Sequence, residues 1–331
     1  MTQKEVAQHL GISQVTVSYA LNKPDSRKCS PALRKKIRDY CQKHAPGLLR
    51  SGKSFQIALA IVTRKLEHSF YQPAVEGVRE KAKESDYQVI VTEPAKIGEL
   101  YQKKKFDGLI SVAPLDDYKI FTKDLPENLP QVMINDYLPE LDINSVMPDY
   151  LSGSYQVIKH LYETGHRRIS GLFISRIGFK KINAHFVERE SAFYYYLEKF
   201  GFSKKYCRHI EIPNILSPDL IPYFTNTINS FPKDEFPDAF FLGDGYVPFW
   251  IRALNLKGYT VPEDISIIGF DNSRETVLET GLTSLDFSLK KSGIQAFQLL
   301  YNEICSGIQN NIRINIKPKL IIRITVSRRK S

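Results

Sequence analysis

The sequence predicts a small all-α helix-turn-helix head followed by an α/β body of two lobes, each built on a doubly wound parallel sheet. Three observations carry this. The first 44 residues fall into short, capped helical segments. From Phe55 onward, short apolar runs alternate with amphipathic helical stretches, as parallel strands covered by crossover helices do. Such strands outnumber one comfortable sheet, so two lobes are expected. A chain of 331 residues has room for both lobes and the head.

The head opens on MTQKEVAQHLGISQVTVSYALN. Thr2 and Glu5 have capping-box spacing, in which each side chain satisfies a free N–H at a helix start. Val6, Ala7 and Leu10 share one helical face. Gly11 can take the left-handed conformation that ends a helix, and Ile12 fills the corner. Ser13 then caps a second helix whose inner face is Val17, Ala20 and Leu21. Its outer face carries Gln14, Val15, Thr16, Ser18, Tyr19 and Asn22. That face is short and uncharged, and it suits base edges in a major groove. An amphipathic hairpin with a merely polar surface would show the same pattern. Ser30 and Pro31 start a third helix with Leu33, Ile37, Tyr40 and Cys41 inward. Residues 45–54 read as a linker by their Pro, Gly and Ser. This divides the chain into a head (1–44), a hinge (45–54) and a body (55–331).

Charge sets the head apart. Residues 1–54 hold eleven Lys or Arg against three carboxylates, a surplus of eight out of the chain's total of +10. A basic module on a nearly neutral body is the footprint of a polyanion-binding head.

In the body, strands are expected at 57–62, 87–92, 106–112, 131–135, near 143–146, at 167–174, near 209–212, and at 239–243, 265–271 and 320–326. Helices are expected around 72–85, 154–164, 186–200, 218–230, up to Leu256, and over 289–306. The apolar runs are too short to cross a membrane. No secretory leader is visible, which points to the cytoplasm. Cys29, Cys41, Cys207 and Cys305 are scattered without a CxxC pair and read as free thiols, with no metal site.

Enzyme signatures are missing. The sequence contains no GxGxxG after a strand, no Gly-x-Ser-x-Gly elbow and no HExxH. Neither catalysis nor a cofactor is therefore expected.

With head and body in view, the chain closely resembles the LacI family of bacterial transcription regulators. VAQHLGISQVTVSYALN is similar to the family's helix-turn-helix signature. GHRRI (165–169), GYTVPEDISIIGFD (258–271), LTSLDFS (282–288) and LIIRITVSR (320–328) resemble later signatures in the expected order. The resemblance implies a periplasmic-binding-protein-like body crossed three times by the chain, a small effector between the lobes, and a homodimer on near-palindromic double-stranded operator DNA. Gln14, Val15 and Tyr19 match base-reading positions, and Ser13, Thr16, Ser18 and Asn22 match phosphate-holding ones. Arg34 matches a basic contact. Tyr19 departs from the family's usual Arg, exchanging two parallel donors for one hydroxyl and an apolar ring. The hinge is short by roughly half a dozen residues. Leu49 is either its wedge between base steps or a residue packed under the body.

For the effector, the resemblance implies Phe70, Tyr71, Asp149, Arg189, Asp244 and Asp271. An Arg, carboxylates and aromatic faces together suit a sugar or polyol. Arg189 paired with Asp271 in an interlobe salt bridge is the structural alternative, as core packing is for Phe70 and Tyr71. Gly243 stands where the family usually has Asn, removing one ligand contact. No heptad tail follows the last strand, so a tetramer built that way is not expected.

Overall fold

The computed structural model describes residues 1–22, 29–45, 48, 55–61, 71–112, 118–138, 140–173, 184–206, 219–309 and 311–329. The strand expected near 209–212 lies outside them.

The head is three helices: α1 (Gln3–Leu10), α2 (Gln14–Asn22) and α3 (Pro31–His44). Local chemistry sets their ends. The Glu5 carboxylate accepts from the Thr2 N–H at 2.8 Å while Thr2 Oγ1 accepts from the Glu5 N–H at 3.2 Å. Gly11 caps α1 at φ 63°, a conformation that costs glycine nothing sterically. Ser30 Oγ accepts from the Leu33 N–H to start α3. Val6, Val17, Ala20, Leu21, Ile37 and Cys41 form the closed core. Ala45 and Leu48, from the stretch read as linker, also pack on it.

The N-terminal lobe contains β1 (Phe55–Ile61), α4 (Gln72–Glu84), β2 (Tyr87–Thr92), α5 (Ile97–Lys103), β3 (Gly108–Val112), α6 (Tyr118–Thr122), β4 (Gln131–Ile134) and β5 (Asn144–Pro148). The C-terminal lobe contains α7 (Tyr150–Glu163), β6 (Ile169–Leu172), α8 (Ala184–Lys199), α9 (Leu220–Asn229), β7 (Ala239–Gly243), α10 (Val247–Leu256), β8 (Ser266–Phe270), α11 (Arg274–Thr280) and β9 (Thr283–Asp286). The chain then returns to the first lobe for α12 (Leu289–Ser306) and β10 (Arg313–Ile316), and ends in the second with β11 (Lys319–Ile321). It crosses between lobes at Asp149, at Phe287–Ser288 and at Lys317–Pro318, the three crossings expected.

The first sheet runs β10-β5-β4-β3-β1-β2 and is parallel throughout. Its strand order reverses between β1 and β3, and in such sheets ligands bind at the strand carboxyl ends near that point. The second sheet runs β11-β9-β8-β7-β6. Here the structure corrects the sequence. The run 320–326 is not a buried parallel strand: only Lys319–Ile321 is strand, and it pairs antiparallel with β9. Beyond it, Ile322 and Ile324 face outward at 60% and 70% exposure. Thr325 instead accepts the Ile267 N–H with its carbonyl and donates its hydroxyl to the Ile267 carbonyl. Apolar composition alone cannot separate a sheet interior from an edge with one outward face. The strand β10 also went unpredicted, because RINI is short and alternates polar with apolar residues.

No helix among the described residues is long and apolar enough to cross a membrane.

Candidate nucleic-acid interface and ligand cleft

On the head, the start of α2 projects Gln14 and Val15 outward, Val15 at 62% exposure. An exposed valine beside a glutamine offers an apolar contact for a thymine methyl and an amide for a base edge. Ser13 Oγ accepts from the Thr16 N–H at 3.0 Å and lies 2.8 Å from Thr16 Oγ1. Both hydroxyls therefore help to cap α2 and stay at its exposed N-terminus. Ser18 and Tyr19 are half-buried, and the Tyr19 ring packs against the head core. Arg34 donates to the Cys29 carbonyl at 3.4 Å, which holds the start of α3 to the preceding loop. The Asn22 side chain and all of Leu49 lie outside the described residues.

The cleft is built from loops at the carboxyl ends of both sheets. Tyr71 precedes α4, and Asn135 and Asp136 follow β4. Tyr150 begins α7, Arg189 lies in the second turn of α8 and Asp271 follows β8. Asn135 sits at φ 63°, a left-handed position that Asn tolerates better than most residues. Asn272 and Ser288 adopt the same conformation beside the C-lobe strand ends, and such strain concentrates at functional sites.

A chain of hydrogen bonds spans the lobes. The Tyr150 hydroxyl donates to Asn135 Oδ1 at 2.9 Å, and the Arg189 guanidinium lies beside it, 5.4 Å from the centre of the Tyr150 ring. The Tyr71 hydroxyl bonds the Asn135 side chain from the other side. Burial and the Asp271 carboxylate push the Tyr71 hydroxyl far above its usual range. Burial does the same to Tyr150 against the opposing pull of Arg189. Both phenols are therefore neutral, and Tyr150 serves as the donor to Asn135.

Arg189 is 7% exposed, with its guanidinium 4.1 Å from the centre of the Phe270 ring and 5.8 Å from that of Phe287. Stacking of this kind holds a guanidinium plane fixed while its edge stays available. Arg189 and Asp271 both belong to the C-terminal lobe, so a pair between them would not bridge the cleft, as the sequence reading had supposed. A lobe-to-lobe ion pair stands one residue away. Arg313 on β10 grips Glu188 on α8 with two bonds of 2.8 and 2.5 Å.

Two predicted cleft residues are engaged by their own lobe. Asp149 Oδ1 accepts from the Ser152 N–H at 2.9 Å and caps α7. Asp244 is completely buried, with Oδ1 taking the Ser284 hydroxyl at 2.8 Å and Oδ2 the Ser273 N–H at 2.7 Å. A Cβ at position 269 would come within 2.0 Å of Asp244 Oδ1, so Gly269 is what leaves room for the carboxylate. Asp244 therefore braces the loop after β8 from behind and is not a ligand of the open cleft. Phe70 lies outside the described residues. Sequence reasoning missed Asn135, Asp136, Tyr150 and His185. The Asn-Asp pair closing QVMIND was the available signal.

Burial raises the Asp244 carboxyl to about 7. A carboxyl whose folded pKa is raised stabilises fully below its unfolded pKa, and that contribution fades as pH rises through the folded value. Between about pH 5 and about pH 7.5, wild type should therefore lose stability relative to Asp244→Asn. Urea midpoints of both proteins at the two pH values test this; parallel pH profiles would refute it. Glu303, raised to about 7 by burial, is present in both proteins and cancels.

A helix-turn-helix head joined to a two-lobed body with a polar interlobe cleft defines a DNA-binding transcription regulator. Residues 158–326 match the family described as periplasmic binding protein-like domain. The chain belongs to that family, and within it to the LacI-family regulators. It is similar along its length to the NTD biosynthesis operon regulator NtdR of Bacillus subtilis, with 25% identity covering 97% of this chain and 98% of that one. It is equally similar to the transcriptional repressor PurR of Haemophilus influenzae, with 25% identity covering 98% of each. Among solved structures, the regulator CelR in complex with cellobiose superposes with a TM-score of 0.68 at 22% identity, covering 98% of this chain and 99% of that one.

Proposed function

We propose that this protein is a cytoplasmic, homodimeric repressor that binds a near-palindromic operator and whose grip is set by a small carbohydrate held between the lobes, without catalysis. The observation carrying the effector half is the buried Arg189–Tyr150–Asn135–Tyr71 string. It joins the lobes through groups that hydrogen-bond neutral hydroxyls, so a ligand inserted there changes how the lobes meet. Arg189, Tyr71, Asp271 and Phe70 are proposed to contact it. On the head, Gln14, Val15 and Tyr19 are proposed to read bases, with Ser13, Thr16, Ser18, Asn22 and Arg34 on phosphates and Leu49 at the hinge. CelR carries cellobiose, which supports a sugar as the ligand class.

Dimerisation is supported by apolar surface on the C-terminal lobe. Leu278, Ile322 and Ile324 are exposed beside a groove of about 280 Å³ lined by Pro248, Ile251, Val261 and Pro262. Two copies related by a two-fold axis would cover this face and present two heads to two half-sites.

The test is operator selection from random DNA, followed by titration with and without sugars. Two protomers per palindrome, binding that weakens with salt and a sugar-dependent change in affinity are expected. Arg189→Ala should remove the sugar response and leave operator affinity within about twofold, because the residue is buried in the body; a preserved response would take Arg189 out of the site.

A further inference from the structure

We propose that Asp136, facing His185 across the lobes, selects the effector by holding a protonated amine, so that the preferred ligand is an amine-bearing sugar over its neutral parent. This rests on the cleft reading above. Asp136 is 5% exposed, and its Oδ1 is buried without a hydrogen bond. Asp244 shows what this fold does with a structural carboxylate: both oxygens are bonded. Among the described residues, none hydrogen-bonds Asp136 Oδ1 in that way. Leaving a buried charged acceptor unbonded costs stability, and a ligand donor would relieve the cost.

His185, 3% exposed in the first turn of α8, places Nδ1 3.8 Å from Asp136 Oδ1. A hydrogen-bonded imidazolium–carboxylate pair closes to about 2.7–2.9 Å, so this is a long ion pair that leaves Asp136 Oδ1 without a hydrogen bond. One turn further along α8, Arg189 Nε is also buried without a hydrogen bond. The cluster thus holds an unfilled acceptor near an unfilled donor. Asp136, Asp271 and Arg189 all act electrostatically on the Tyr71 hydroxyl, two anions against one cation, with the His185 imidazole beside Asp136. A neutral hydroxyl would satisfy the hydrogen bond at Asp136 and leave the negative surplus. An ammonium satisfies both, while the remaining hydroxyls of a sugar serve Arg189.

The experiment compares glucosamine and galactosamine with glucose and galactose at neutral pH, by thermal shift and titration on the full chain. At least one amine should bind about tenfold or more tightly than its parent. Asp136→Asn should erase that preference. It should also leave the ligand-free melting temperature at or above wild type, because it removes an unbonded charge; Asp136→Ser provides the same comparison should the Asn variant fold poorly. Equal binding of amine and parent, an amine preference surviving in Asp136→Asn, or no binding of either amine would each overturn the proposal. The underlying cleft reading fails separately, if parent-sugar binding is unaffected by Arg189→Ala.

Discussion

Gly293→Ala is expected to lower the melting temperature of the protein by about 2–4 °C, and Gly77→Ala by a similar amount. A Cβ on Gly293 would stand 2.1 Å from the Ala74 carbonyl oxygen, and one on Gly77 would stand 2.1 Å from the Lys290 carbonyl oxygen. The two glycines are reciprocal: α4 and α12 cross with their backbones in contact, each leaving a gap for the other. A flexible side chain could swing away from an added methyl, but a helix carbonyl cannot. The helices must separate, and overpacking of this kind costs about 1–3 kcal/mol or somewhat more. The separation would loosen the face of α12 that buries Phe297, Leu300 and Ile304 in the N-lobe core. It would also move the start of α4, where Tyr71 stands, so effector response should weaken along with stability. Thermal unfolding followed by circular dichroism is the measurement; a midpoint within about 1 °C of wild type would show that the crossing has slack.

The second large effect belongs to the head. Gln14→Ala and Val15→Ala together should reduce affinity for the selected operator by about a hundredfold, at roughly 1–3 kcal/mol per base contact. Binding to a scrambled duplex, and its dependence on salt, should stay nearly unchanged because phosphate contacts are untouched. Tyr19 calls for a subtler substitution. Its ring packs on the head core, so Tyr19→Ala would confuse lost reading with lost folding, whereas Tyr19→Phe removes only the hydroxyl. Fluorescence anisotropy on both duplexes separates the outcomes. Equal losses on operator and scrambled DNA would make Gln14 and Val15 backbone contacts or fold determinants.

The two predictions differ in how visible they were beforehand. The head was legible residue by residue: Thr2 with Glu5, Gly11, Ser13 and Ser30 all act within one helical turn, and their roles follow from local spacing. Most strands and helices of the body were legible for the same reason. The Gly77–Gly293 crossing was not, since the two residues are far apart in sequence and each resembles an ordinary weak point in a helix. The run at 320–326 misled because its composition is that of a core strand, while its position at a sheet edge is set by a pairing with β9 that no local signal encodes. Asp244 misled similarly. Its place after a strand is right for a ligand contact, but the space beside Gly269 and the Ser284 hydroxyl draws it inward.

By itself, the sequence determined the class of protein: a basic helical head, a two-lobed parallel body and a polar cleft between the lobes. Periodicity, capping and charge are short-range, and they survive in one dimension. Only the tertiary structure decided which carboxylates are braced and which are left waiting. A carboxylate's role depends on the donors that arrive from distant strands, and Asp244 and Asp136 carry the same side chain with opposite answers.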